Sequence, residues 1–289
     1  MELSGPSGIL AVDKPAGHTS FDVVARIRGI FKTRRVGHGG TLDPDATGVL
    51  PVFLGKATRF IDLVPNQDKR YIATVRLGVV TDTRDLSGAV IKESPVGVTR
   101  EELVAAISSF VGKGEQIPPM YSAVRKDGVR LYDLARRGIE VERSPRPVTF
   151  YEINLLDFEG ASFTIDVKCS KGAYIRVLCH DLGEMLGCGA AMAALRRTEA
   201  CGLGLSSCKT LPELEELARA GSLADALMPA ESAFGALPRA ELTPEAAKRF
   251  ADGIRLPFDG EGARAVFGPR GFMGLANAEN GLLMHIRVF

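Results

Sequence analysis

The segment spanning residues 148–169 constrains the fold more than any other part of the chain. It contains two stretches of strand-forming residues on either side of a turn at Glu159 and Gly160. In the second stretch, apolar and polar side chains alternate, in the order Phe163, Thr164, Ile165, Asp166, Val167, Lys168 and Cys169. This alternation predicts a strand with one buried face and one face in water, as found in antiparallel sheets.

The remaining patterns predict helices and strands that do not alternate regularly. Further strands are predicted at residues 9–12, 49–54 and 71–77, and helices at 19–31, 56–63, 99–110, 170–186, 211–228 and 244–252. A doubly wound sheet needs repeated strand–helix–strand units, which this order lacks. We therefore predict an α+β fold: a mixed, largely antiparallel sheet flanked by helices, followed from about residue 237 by a small, mainly β module.

The composition is that of an ordinary globular protein. The 289 residues are 45% hydrophobic and 25% charged, which is enough to bury a sizeable core. No apolar run approaches the roughly 20 residues that span a bilayer. The first residues lack the basic region and apolar core of an export signal. These features predict a cytoplasmic protein with no membrane partner.

Several kinds of chemistry have no signature in the sequence. The cysteines and histidines have no metal-ligand or C-x-x-C spacing, so we predict no metal site and interpret the cysteines as small buried side chains. The segment from Gly48 to Lys56 resembles a phosphate-binding loop, but its glycines are too far apart and Ala57 replaces the required Ser or Thr. Neither a dinucleotide-binding nor a serine-hydrolase motif is present.

The stretch "GHGGTLDPDATGVLP", residues 37–51, is too rich in Gly and Pro to lie inside a helix or strand. A solvated surface loop is the simplest interpretation. Three further residues favour chemistry there: Tyr71 at the start of a strand, and Tyr174 and Arg176 at the start of a helix. Each has an ordinary structural explanation on its own. Together with Asp43 in the loop they supply a carboxylate, an aromatic surface and a cation that keeps the carboxylate ionised.

At this point a family resemblance is clear. The chain resembles the TruB family of tRNA pseudouridine synthases over most of its length, in motifs that occur in the family's order and spacing. These are "ILAVDKPAGHTSFDVV", "RRVGHGGTLDPDATGVLP", "LGKATRF", "DKRYIATVRLG", "TDTRDLSG", "PPMYSAVRKDGVRLYDLARRGIEV", "CSKGAYIR" and "DLGEMLGCGAAMAALRRT". The G-T-L-D-P-x-A-x-G-V-L loop is the most specific of them.

The resemblance implies a role for individual residues. Asp43 matches the catalytic nucleophile, Tyr71 the tyrosine that stacks on the target base, and Arg176 the basic residue paired with the carboxylate. For the substrate, the resemblance implies three further contacts. Tyr174 matches a residue that contacts the substrate, and His38 matches the histidine that takes the place of the everted base. Leu195 matches an apolar residue in the wall of the pocket.

The implied reaction is isomerisation of uridine to pseudouridine at position 55 in the T-arm of tRNA. It requires no cofactor and no metal, because no atoms are gained or lost. The implied organisation is a catalytic domain at residues 1–232, with an RNA-binding insertion at about 119–147, and a PUA-like RNA-binding module at 237–289. The match to the bacterial stand-alone type implies a monomer that binds the T-arm stem-loop without a guide RNA.

The net charge of +1 is low for a protein that binds RNA, so the position of the basic residues matters more than their number. We expect RNA contacts at Arg59 and, in the insertion, at Arg136 and Arg137. An RNA chaperone without chemistry would use the same surface, but it would not require Asp43 or Arg176. A guide-RNA-dependent relative is the second alternative, and the short C-terminal tail argues against it.

Overall fold

The computed structural model describes residues 5–289 and contains two principal sheets. The strands are β1 (Gly8–Lys14), β2 (Val36–His38), β3 (Thr47–Leu54), β4 (Lys69–Leu77), β5 (Val79–Thr81), β6 (Val90–Glu93), β7 (Gly112–Gln116), β8 (Arg125–Lys126), β9 (Val129–Arg130), β10 (Arg146–Glu159), β11 (Ser162–Cys169), β12 (Ala190–Ala200), β13 (Leu203–Gly204), β14 (Arg239–Glu241), β15 (Leu256–Pro257), β16 (Gly262–Gly268), β17 (Gly271–Glu279) and β18 (Leu282–Val288).

The α-helices are α1 (Ser20–Ile30), α2 (Arg100–Ser109), α3 (Leu131–Ala135), α4 (Ile175–Met185), α5 (Leu211–Ala220) and α6 (Pro244–Ala251), and 3₁₀ turns occupy Gly55–Leu63, Leu205–Ser207, Leu223–Ala226 and Ala230–Phe234. Capping boxes begin α1, α2 and α5, with Thr19, Thr99 and Thr210 as the respective N-caps. Within residues 5–289, no helix combines the length and the apolarity that crossing a membrane requires.

The larger sheet has nine strands and is mixed but largely antiparallel. Its main path runs β1-β3-β12-β4-β11-β10-β7, with β2 paired to β3 and β13 paired to β12. Only the short contact between β3 and β12 is parallel in this sheet. The predicted hairpin at 148–169 is present as β10 and β11, and the apolar side chains of β11 are buried while the polar ones are partly exposed.

Two pairs of helices pack against different strands of this sheet. Side chains of α2 and α4 pack against β4, β10 and β11 in the largest core cluster, which includes Leu103, Leu178 and Ile165. Side chains of α1 and α5 pack against β1 and β3 in a second cluster, which includes Val24 and Leu214. The α+β fold predicted from the sequence is therefore confirmed.

The second sheet, in the order β14-β16-β17-β18-β15, forms a small C-terminal β domain. An aromatic cluster joins it to the rest of the chain: the Phe60 ring lies 5.8 Å from both Phe234 and Phe272 and 5.9 Å from Phe289, measured between ring centroids. These rings belong to a core cluster that both parts of the chain share. Burial of this much aromatic surface holds the C-terminal domain against the 3₁₀ turn at Gly55–Leu63.

Some local predictions were wrong. Residues 37–51 were predicted to lie outside strands, but residues 37–38 belong to β2 and residues 47–51 to β3. The helix predicted at 211–228 ends at Ala220, because Gly221 adopts a left-handed conformation (φ +75°), and the chain continues as a 3₁₀ turn. The helix predicted to open at residue 170 begins only at Ile175, since residues 170–174 form a turn with Gly172 at φ +86°. The later start places Tyr174 at the N-cap.

Candidate active site

Asp43 lies on a tight loop between β2 and β3. The Ala46 N–H donates to the Asp43 carbonyl (3.1 Å) and closes a turn around Pro44. The buried Ser20 hydroxyl, at the start of α1, accepts from the Leu42 N–H at 2.9 Å and lies 3.2 Å from the Leu42 carbonyl. The loop is therefore fixed on one side by a helix, while 38% of the Asp43 side chain is exposed to solvent.

Two buried cations bind the backbone carbonyls of this loop and its neighbours. The Lys14 ammonium donates to the carbonyls of Pro15 (2.9 Å), His18 (2.6 Å) and Pro44 (2.8 Å). The Arg197 guanidinium donates to three more backbone carbonyls, those of Val49 (2.7 Å), Thr41 (3.2 Å) and Gly40 (3.1 Å). Both side chains have 0% relative exposure. Charge-assisted bonds of this kind offset part of the desolvation of a buried cation and rigidify the backbone that accepts them.

The Asp43 carboxylate pairs with Arg176 through both oxygens. Arg176 Nε lies 2.9 Å from Oδ2, and Nη2 donates to Oδ1 at 3.2 Å. Arg176 is the second residue of α4 and is only 5% exposed. A two-point pair fixes the orientation of the carboxylate as well as its charge.

Arg176 is itself held by three further groups. Nη1 donates to the Thr83 carbonyl (3.1 Å), and Nη2 donates to the Tyr121 carbonyl (2.7 Å). The Asp85 carboxylate lies 3.7 Å from Nε. The guanidinium therefore connects the Asp43 loop, the loop after β5, and the segment after β7.

Opposing influences act on the pKa of Asp43. The protein atoms packed around the carboxyl raise its pKa above the ordinary value of 3.8, even though part of the side chain remains open to solvent. Arg176 lowers the pKa, Asp85 raises it, and Lys14 lowers it. The carboxylate is less well solvated than one on the surface, which makes it a stronger nucleophile or base when ionised.

Tyr71 lies on the central strand β4, and its side chain is buried. Burial raises the pKa of Tyr71 to about 12, so the phenol remains protonated at neutral pH. It is opposite Arg197 of β12 in the antiparallel register. Leu195, on the same strand as Arg197, is opposite Ala73 and packs at the edge of the core cluster that contains Tyr71. The structure therefore brings Tyr71 and Leu195 onto adjacent strands.

Tyr174 is the N-cap of α4, two residues before Arg176. Its backbone is held by the Gln116 side chain, whose Oε1 accepts from the Tyr174 N–H (2.9 Å) and whose Nε2 donates to the Tyr174 carbonyl (3.2 Å). Burial raises the pKa of the Tyr174 phenol, which remains protonated. Tyr174 and Arg176 are thus positioned by the same helix start.

His38 is the last residue of β2 and lies at the beginning of the Asp43 loop. Its Nδ1 accepts a hydrogen bond from the Gly40 N–H at 3.3 Å. Burial, and secondly the nearby Arg197 cation, lower the pKa of His38, so the imidazole is neutral at pH 7. A neutral ring with Nδ1 already bonded leaves Nε2–H as a donor.

The three arginines expected to contact RNA are all exposed. Arg59 lies on the 3₁₀ turn at Gly55–Leu63, and Arg136 and Arg137 follow α3 in the insertion. The Arg136 guanidinium lies 5.6 Å from the centroid of the Tyr132 ring. These three residues are outside the contacts that surround Asp43.

Sequence reasoning missed several residues that shape the site: Lys14, Ser20, Asp85, Gln116 and Arg197. Lys14 and Arg197 were the most detectable, because each is a cation inside or beside an apolar strand. Four of the five cysteines are buried and Cys208 is partly buried, and none forms a disulfide. Across residues 5–289, no group of three or more His, Cys, Asp or Glu side chains is arranged to hold a metal ion.

Comparison of the sequence with protein families gives two adjoining matches. Residues 28–175 match the N-terminal domain of the TruB family of pseudouridylate synthases, and residues 176–235 match the C-terminal domain of tRNA pseudouridylate synthase B. The first match contains Asp43, Tyr71 and Tyr174, and the second begins at Arg176.

Curated proteins called tRNA pseudouridine synthase B are similar over most of their length. One from Dehalococcoides mccartyi is 47% identical over 253 residues, which cover 87% of this chain and 84% of that protein. One from Ralstonia nicotianae is 45% identical over 290 residues, covering 96% of this chain and 92% of that protein. One from an Azoarcus species is 42% identical over 279 residues, covering 96% and 92%.

Solved structures show the same fold. A chain in the crystal structure of a Cbf5-Nop10-Gar1 complex aligns with a TM-score of 0.76 and 28% identity, over 98% of this chain and 84% of that one. A chain in the structure of an H/ACA ribonucleoprotein bound to a substrate RNA containing 2'-deoxyuridine aligns with a TM-score of 0.74 and 26% identity, over 98% and 84%.

Proposed function

The chain belongs to the TruB family of pseudouridylate synthases and isomerises uridine to pseudouridine in tRNA, and from this we propose that Asp43 is the nucleophile and that the target is position 55 of the T-arm. The observation that carries the proposal is the two-point pair between Asp43 and the buried Arg176. A carboxylate on a fixed, partly open loop can reach a nucleotide, and the glycines of that loop allow its backbone to come close.

The chemistry is balanced without any other reactant. The bond between C1′ and N1 breaks, the uracil turns, and a bond between C1′ and C5 forms; N1 gains a proton and C5 loses one. Asp43 acts either by adding to the sugar or the base, or by removing the C2′ proton. In each case it must be ionised, and Arg176 favours the ionised form.

The target base has to leave its stack before Asp43 can reach it. Flipping a nucleotide costs a few kcal/mol, and stacking on an aromatic side chain stabilises the flipped base by roughly 1–3 kcal/mol. We assign this stacking to Tyr71, the apolar wall to Leu195, and a further substrate contact to Tyr174. His38, with its Nε2–H free to donate, takes the place of the everted base.

The tRNA is held by a surface larger than the pocket. We assign the catalytic domain to residues 1–232, with an RNA-binding insertion at about 119–147, and a PUA-like RNA-binding domain to residues 237–289. Exposed Arg59, Arg136 and Arg137 supply phosphate contacts. The chain acts on the T-arm stem-loop as a monomer without a guide RNA, in line with its similarity to the tRNA pseudouridine synthases over nearly their full length.

The test is the nearly isosteric change Asp43→Asn, with Asp45→Asn as the control. Asp45 is an exposed neighbour on the same loop. We expect Asp43→Asn to abolish pseudouridine at position 55, mapped on a tRNA transcript, while the dissociation constant for tRNA stays within about threefold of the parent, a change below 1 kcal/mol. Asp45→Asn keeps its activity. Turnover by Asp43→Asn near the parental rate would reject Asp43 as the nucleophile, and product at another position would reject the target.

A further inference from the structure

Residues 116–122, which lead from β7 into the insertion, contact both Tyr174 and Arg176. Gln116 ends β7, and the chain then continues through Tyr121 and Ser122. Within these seven residues, a side chain holds the Tyr174 backbone and a backbone carbonyl accepts from Arg176. The start of α4 is thus bonded to residues 116–122, the segment that leads into the insertion.

Gln116 bonds the backbone of Tyr174, the N-cap residue of α4. Tyr174 is the N-cap of α4, and its side chain makes no capping hydrogen bond. The amide groups at the start of a helix lack partners within the helix. Gln116, which is 6% exposed, supplies partners for both the N–H and the carbonyl of Tyr174. A buried carboxamide with both ends bonded has one allowed orientation, so it fixes the backbone that it holds.

The neighbouring contacts reinforce this attachment. The Tyr121 carbonyl accepts from Arg176 Nη2 at 2.7 Å, from the nitrogen that also donates to Asp43. The Ser122 hydroxyl is buried and lies beside the Tyr174 phenol. Residues 116–122 therefore contact the start of α4 at both Tyr174 and Arg176.

We propose that Gln116 is a positioning residue for the isomerisation: by holding the backbone of Tyr174 it sets the start of α4, so that Arg176 meets both oxygens of Asp43. The inference rests on the proposed role of Asp43. Gln116 does not touch the substrate; it acts through Tyr174 and Arg176. A misplacement of about 1 Å in a catalytic group can cost on the order of 100-fold in rate, so a residue of this kind has a large kinetic effect.

The experiment compares Gln116→Met, Gln116→Glu and Gln67→Met in the full chain. Methionine has nearly the shape of glutamine but makes neither hydrogen bond, and glutamate keeps only the acceptor. Gln67 is the control, because its amide also donates to backbone carbonyls, those of Val64 (3.1 Å) and Asp62 (3.4 Å), away from α4. The measurements are the single-turnover rate at saturating tRNA, the dissociation constant for tRNA, the melting temperature, and the dependence of the rate on pH.

We expect Gln116→Met to slow the single-turnover rate by about 10- to 100-fold, with tRNA affinity within about threefold of the parent. The acidic limb of the rate profile should move to higher pH. Asp43 is faced by Arg176 from α4, Asp85 from the loop after β5, and Lys14 from β1, and a displaced Arg176 no longer opposes protonation of the carboxylate. Gln116→Glu should be slowed as well, because it loses the donor to Tyr174, and Gln67→Met should resemble the parent.

Two results would overturn the inference. One is a parental single-turnover rate for Gln116→Met. The other is a loss of rate, affinity and melting temperature together with an unmoved acidic limb, which would make Gln116 a structural anchor only. Asp43→Asn, measured in parallel, separates the positioning role of Gln116 from the proposed function. An active Asp43→Asn rejects both the nucleophile role of Asp43 and the positioning role of Gln116. An inactive Asp43→Asn together with a parental rate for Gln116→Met rejects only the positioning role.

Discussion

Arg176 reaches both carboxylate oxygens of Asp43, although 133 residues separate the two in the sequence. The same guanidinium donates to the carbonyls of Thr83 and Tyr121, so each of its three nitrogens has a partner. Lysine has a single ammonium group and cannot reproduce this geometry. The two-point pair with Asp43 therefore requires arginine at position 176.

Replacing Arg176 with lysine should slow the single-turnover rate by about 10- to 100-fold, because hydrogen bonds to charged groups are worth about 1.5–3 kcal/mol each. The positive charge remains, so complete loss is not expected from charge alone. The matched control is Arg26→Lys, since Arg26 pairs with Glu215 on the exposed surface. Equal rates for Arg176→Lys and the parent would show that the two-point geometry is irrelevant to the chemistry.

The isomerisation rate should fall as the pH is lowered, and the fall should begin above the ordinary carboxyl pKa of 3.8. Burial raises the pKa of Asp43, and protonation removes the nucleophile, so activity increases with pH through that raised pKa. Single-turnover rates from pH 8 down to the lowest pH at which circular dichroism shows a folded protein measure this. A flat profile across a folded range would contradict the assignment of Asp43.

Replacing Lys14 with methionine should destabilise the protein at pH 7, because the Pro15, His18 and Pro44 carbonyls lose a buried donor. The difference in unfolding free energy between the parent and Lys14→Met should become larger at higher pH. Burial lowers the pKa of Lys14 from 10.5 to about 8, so between these values the unfolded parent binds more protons than the folded parent, and its stability rises with pH.

Between pH 8 and pH 10.5, this difference in unfolding free energy should increase by an amount on the order of 3 kcal/mol. Urea unfolding of the parent and Lys14→Met at several pH values measures the difference, in which the effects of the other titrating groups cancel. A difference in unfolding free energy that stays constant or narrows over this range would contradict the lowered pKa of Lys14.

Replacing Arg136 and Arg137 with alanine should weaken tRNA binding and reduce its dependence on salt. Removing one arginine–phosphate interaction should lower the slope of log affinity against log salt by about 0.7–0.9. The rate at saturating tRNA should change little, because both residues lie outside the contacts around Asp43. The control is the pair Arg26→Ala and Arg219→Ala, which are exposed cations beside Glu215. An unchanged slope for the insertion variant would place the phosphate contacts elsewhere.

Local sequence patterns predicted most of the secondary structure but little of the site. The alternation along β11 is a local signal, and the structure confirms the strand that it predicted. The break at Gly221 was missed, since the amphipathic pattern continues on either side of it. Lys14 and Arg197 were missed because their burial depends on backbone carbonyls that come from distant loops. The roles of Asp43, Tyr71 and Arg176 came from family resemblance, and they remain predictions.

The backbone of the Asp43 loop is attached to Arg197 through Gly40 and Thr41 and to Lys14 through Pro44. A loop fixed in this way has little freedom to follow the shape of an incoming nucleotide, so most of the adjustment must come from the RNA. Substrate choice then depends on mechanics as well as on sequence: a uridine in a loop that opens easily will be modified faster than one in continuous duplex, where unstacking costs more. The rigid backbone of the Asp43 loop would thus favour RNA substrates whose loops open easily.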